Sequence, residues 1–84
     1  MRIALKLFAS LTERLPPESR ARHRVELEVE EGATVLDVIR RQGIPEAQCF
    51  LVLVDGAWVA PQDRAARVLS EDQALAIWPP VAGG

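Results

Sequence analysis

With one cysteine and one histidine among 84 residues, the chain lacks the side chains that most reaction chemistry needs. A lone Cys49 excludes an internal disulfide framework and any cysteine-rich zinc or iron–sulfur site. His23 and Cys49 are the one base and the one thiol nucleophile, and no glycine-rich phosphate loop or metal-ligand spacing accompanies them. A strong charge of either sign is missing too: ten basic residues against twelve acidic ones leave a net charge of −2, which argues against nucleic acid as a partner. The longest apolar run, near Phe50–Val54, falls far short of the roughly 20 residues that span a bilayer. No signal-peptide pattern opens the chain. These absences predict a cytoplasmic protein with no metal, no bound cofactor and no membrane partner.

What is present has the balance of an ordinary folded domain, 49% hydrophobic and 26% charged. At this length one domain is expected, and it buries only about 60–65% of the surface its unfolded chain exposes. Period-two alternation marks strands at Met1–Phe8 (Ile3, Leu5, Leu7 inward), at His23–Glu30 (Val25, Leu27, Val29 inward) and at Ala74–Trp78 (Leu75, Ile77 inward). Thr34 caps a helix over Val35–Gln42, whose Val35, Val38 and Ile39 recur at helical spacing before Gly43 and Pro45 stop it. Phe50–Val54, Asp55-Gly56 and Ala57–Ala60 form the signature of a tight hairpin. Ser10-Leu11-Thr12-Glu13 reads as a capping box opening a short helical turn that runs to Leu15 before Pro16-Pro17 ends it, with a loop from there through Arg22. The element order is ββαβββ, an α+β pattern.

The feature richest in chemistry is the ending Trp78-Pro79-Pro80-Val81-Ala82-Gly83-Gly84. Two prolines fix φ twice and remove two donors, so residues 79–84 are expected to leave the 1–78 domain as a stiff arm reaching about 20 Å. Gly83 and Gly84 carry no Cβ, so the end can thread a slot closed to any other residue, and Gly83 keeps that approach clear. The Gly84 carboxyl is then the reactive group. Its reference pKa of about 3.3–3.7 makes it a carboxylate at neutral pH, and a carboxylate is a poor electrophile. Nothing in the chain can activate it, so a partner must.

Over its whole length the chain resembles the ubiquitin-like β-grasp sulfur carriers of the MoaD/ThiS family, and most closely the small subunits of molybdopterin synthases. The resemblance is carried by Leu7-Phe8-Ala9, Thr34-Val35-Leu36, Asp55-Gly56, Leu69…Asp72 and the ending from Trp78. Glu71-Asp72 stands where family members often have Gly-Asp. The resemblance implies a mixed sheet of about five strands over one helix, with the first and last strands parallel at its centre. It also implies an E1-like adenylyltransferase (MoeB type) that consumes ATP to adenylate Gly84, and a sulfur donor protein that converts the adenylate to a thiocarboxylate. A synthase large subunit (MoaE type) then receives the sulfur for a pterin precursor. On that reading the chain is a carried substrate rather than an enzyme. Carriage of sulfur to thiamine or cysteine synthesis, a ubiquitin-like modifier forming isopeptide bonds, and a plain interaction module are the alternatives.

Strand alternation puts Ala4, Phe8, Ala76 and Trp78 on the sheet face opposite the helix, beside the departing arm. Large apolar surface there reads as a partner site, extended by Pro79, Pro80, Val81 and Ala82; the bland reading has Pro16 or Leu69 covering it. Cys49 reads as a small buried hydrophobe. His23, the arginines at 20, 22 and 24 and the glutamates at 26, 28, 30 and 31 read as solvated charge, and Lys6, the single lysine, as an outward strand residue.

Overall fold

Ile3, Leu5 and Leu7 need a wall of apolar side chains on one side only, and an extended strand gives them that. In the computed structural model, which describes residues 1–81, strand β1 spans Arg2–Leu7. It pairs antiparallel with β2 (Arg24–Glu28) and parallel with the last strand, β5 (Ala74–Trp78). On its other side β5 pairs antiparallel with β3 (Leu51–Val54), which turns back into β4 (Ala57–Trp58). The order β2-β1-β5-β3-β4 sets the parallel β1–β5 pair inside a five-stranded sheet.

Helix α1 (Val35–Arg41) covers one face. Its start is a true capping box: the Asp37 amide donates to Thr34 Oγ1 at 3.1 Å and the Thr34 amide donates to Asp37 Oδ2 at 2.9 Å. Two further first-turn amides, of Val35 and Leu36, donate to the carbonyls of Arg67 and Arg64, which ties the helix to the β4–β5 connection. Those hydrogen bonds from Thr34, with Arg41 and Arg40 nearby, hold the Asp37 carboxyl below its ordinary pKa. Val35, Val38 and Ile39 sit in the core with Ile3, Leu5, Leu7, Val52, Val54, Leu75 and Ile77, each at most 1% exposed. Leu11, Leu15, Ile44 and Leu69 seal its edges.

Asp55 (φ 48°) and Gly56 (φ 83°) both take positive φ, as a type I′ hairpin turn requires. Glu71 can stand in the place of glycine because the left-handed position of this turn is Asp72 (φ 65°), whose amide donates to the Arg2 carbonyl at 2.8 Å. Asp tolerates that region better than most residues.

Four local expectations fail. Ser10 caps nothing: the turn begins one residue earlier, as a 3₁₀ helix over Ala9–Arg14 with Phe8 at its N-cap and no side-chain cap bond, so the Ser10 oxygen already lies inside the turn. The expected loop before Arg22 is a second 3₁₀ helix, Pro17–Arg22, started by the fixed φ of proline. β2 is shorter than the alternating run: Val29 is buried beyond its end and Leu27 only half-buried. His23 leaves the strand altogether, in the left-handed region at φ 57°.

One buried polar side chain stands out. Arg64 is 6% exposed, and its Nε and Nη2 make no hydrogen bond among the described residues.

Candidate functional site

The sheet face opposite α1 carries Lys6 from β1, Leu53 from β3, and Ala76 and Trp78 from β5. Phe8 follows β1 in extended conformation, φ −125° and ψ 164°, and its amide donates to the Ile77 carbonyl at 3.3 Å, so its ring continues the same face. There it meets Trp78, ring centroids 4.2 Å apart and planes 4° apart. Such pairs contribute about 0.5–1.5 kcal/mol beyond burial.

His23 stacks on Phe8 as well, at 5.1 Å and 18°. Its Nδ1 lies 3.2 Å from the Leu7 carbonyl. Thr12 Oγ1 lies 3.4 Å from the same nitrogen, so two protein groups hold the ring edge in place. His23 is therefore not the freely solvated residue its flanking arginines suggest; the left-handed turn at the end of the second 3₁₀ helix delivers its ring to the aromatic row. Leu69 does not cover that row, since it is buried in the core at 2% exposure, and Pro16 is exposed.

Lys6, Phe8, Leu53, Asp55, Ala76 and Trp78 line a groove of about 450 Å³ on this face. Phe8 and Trp78 are half-buried, whereas Ala4 and Ala76 are buried between neighbouring strands and contribute little contact area. Pro79 is buried, Pro80 is exposed and Val81 is 77% exposed, so the exposed chain begins at Pro80, two residues beyond the end of β5. Ala82, Gly83 and Gly84 lie outside the described residues. Phe50, which sequence reasoning passed over, is 67% exposed, and its amide donates to the Trp78 carbonyl at 2.9 Å.

Cys49 is buried, and its thiol lies 3.7 Å from the Pro45 carbonyl; burial pushes its pKa up, against thiolate chemistry. Among the described residues no group of His, Cys, Asp and Glu could hold a metal ion, and no helix is long and apolar enough to cross a membrane. This face can recognise and position. The described residues assemble no constellation of acid, base and nucleophile.

A five-stranded mixed sheet with parallel first and last strands and one helix packed on it defines the ubiquitin-like β-grasp class. The ThiS family model matches residues 5–84, and the chain belongs to that family of MoaD/ThiS-type carriers. Among solved structures it is similar to SAMP1 from Haloferax volcanii, at 28% identity over 100% of both chains, with a TM-score of 0.68. It also shares its fold with a putative molybdopterin converting factor, subunit 1, from Pyrococcus furiosus (21% identity, 96% of this chain and 99% of that one, TM-score 0.66). A complex of subunits 1 and 2 of the molybdopterin-converting factor from Helicobacter pylori aligns at 11% identity over 100% of both chains, TM-score 0.60. No curated protein matches the chain.

Proposed function

We propose that the chain is a sulfur carrier whose Gly84 carboxyl is adenylated by an E1-like partner, converted to a thiocarboxylate, and used to thiolate a pterin precursor in molybdopterin synthesis. The observation that carries this reading is the stacked Phe8–Trp78 pair, fixed at the end of the central strand immediately before Pro79-Pro80 and the diglycine. Docking there fixes the origin of the arm, so less chain entropy is lost when its end enters a partner's active site. The activating enzyme consumes the ATP; the carrier needs no cofactor of its own. The subunit 1–subunit 2 complex supports a large-subunit partner of the same kind.

A second reading is favoured by a specific observation, the 28% identity to SAMP1 and the 26% identity to the H. volcanii small archaeal modifier protein 1. A modifier would use the same adenylate and form amide bonds to lysines. Mass spectrometry of protein isolated from its native cells separates the two. Sulfur carriage predicts free chains in which one Gly84 oxygen is replaced by sulfur. Other proteins branched through a Gly84 amide, with no thiocarboxylate pool, would favour the modifier.

A further inference from the structure

An activated Gly84 carbonyl is an acyl donor to any amine or thiolate it meets, those of its own kind included. The fold offers few acceptors. Cys49 is buried and its thiolate disfavoured. The Met1 ammonium is partly buried and donates to the Val29 carbonyl at 2.7 Å. Of the ten lysines and arginines only Lys6 is a lysine, and arginine stays protonated and unreactive. Lys6 is half-buried on the docking face, makes no hydrogen bond or ion pair among the described residues, and lines the groove of about 450 Å³ with Phe8 and Trp78.

We propose that Lys6 is the site at which this chain accepts the C-terminal acyl group of a second copy, so that self-conjugation is confined to the docking groove. A diglycine end suits that groove because it brings no side chain against the ring walls. Lys6 Nζ in its free-base form attacks the Gly84 carbonyl of the other copy. A C–N bond forms, the bond to the leaving group breaks, and the proton departs with that group, AMP from an adenylate or a thiol from a thioester. The acceptor loses its only lysine charge and its groove is filled by the other copy's arm, so it can carry one branch and no longer docks. The inference rests on the proposed activation of Gly84 only for the natural acyl donor.

The test supplies that donor chemically, as a 2-mercaptoethanesulfonate thioester on Gly84 released from an intein fusion. A negative result therefore bears on Lys6 and not on natural thiolation. The concentrated thioester is held at mildly alkaline pH, and amide-linked dimers are scored by intact mass and tryptic mapping. The branch is expected on peptide 3–14, uncut at Lys6 and carrying residues 68–84. Lys6→Arg, with its fold checked by circular dichroism, should lower dimer yield about tenfold or more. In urea, which frees Met1 and dissolves the groove, the Met1 share should rise. Native branches mainly on Met1, an unchanged yield in Lys6→Arg, or the same Met1 to Lys6 ratio in urea as in buffer would each overturn the proposal.

Discussion

The two faces of the sheet come from the same strands and do opposite work. On the inner face Ile3, Leu5, Leu7, Val52, Val54, Leu75 and Ile77 are at most 1% exposed, locked under α1 and the edge leucines. On the outer face, one residue out of register along the same strands, Lys6, Leu53 and Trp78 are only half-buried, and no element among the described residues covers them. Apolar burial stabilises at about 25 cal/mol per Å², so the inner face holds most of the folding free energy. Solvent-facing aromatic surface carries a cost in solubility, and a partner seated on the Phe8–Trp78 pair would remove it. On the proposed reading period-two alternation separates folding from recognition, and substitutions on the two faces should separate in the same way.

The largest expected effect lies on the inner face. Ile39→Ala should lower the unfolding free energy by about 2–5 kcal/mol, as deletion of buried aliphatic groups does; a loss under about 0.5 kcal/mol in a urea titration would show that the helix face does not carry the core. On the outer face Trp78→Ala should weaken binding to the activating enzyme or the synthase large subunit by about thirtyfold, or 2 kcal/mol. Its stability loss should be smaller than that of Ile39→Ala. Phe8→Ala should behave alike, and unchanged affinity of both variants for both partners would place docking elsewhere.

Smaller effects sharpen the comparison at the margins. Asp37 is held below its ordinary pKa by its bonds to Thr34. A depressed carboxyl contributes stability that is complete above its unfolded pKa of about 3.9 and fades as pH falls through the lower folded value. Thr34→Ala should cost about 1 kcal/mol at neutral pH and flatten that acid limb, which thermal melts between pH 7 and pH 2 would reveal. Arg64→Met should be close to neutral or stabilising, because it removes buried donors that lack partners among the described residues while keeping the aliphatic stem. Loss of more than about 2 kcal/mol would mean the guanidinium is satisfied in solution.

Much of this fold is legible because burial repeats. The three alternating strands, the Thr34 helix and the Asp55-Gly56 turn each announce themselves through a period or a turn residue. Strand order does not: nothing in the alternation of Leu75 and Ile77 says that β5 lies beside β1, and that expectation came from family resemblance. The second 3₁₀ piece was missed because a six-residue turn of that kind is too short to display a period. His23 and Phe50 were missed for another reason. Their roles depend on stacking and strand pairing with residues far away in the chain, which local pattern does not encode. Arg64 is the extreme case, a charged residue that sequence habit places at the surface and the fold buries.

The carrier assignment itself is tested most directly at the last residue. The chain and a variant with one alanine appended after Gly84 should be incubated with the activating enzyme, ATP and a sulfur donor, and followed by intact mass. The account predicts that the native end gains one sulfur in place of oxygen, that the appended variant gains none, and that both unfold at the same urea concentration. Sulfur on the appended variant at the native rate would contradict it.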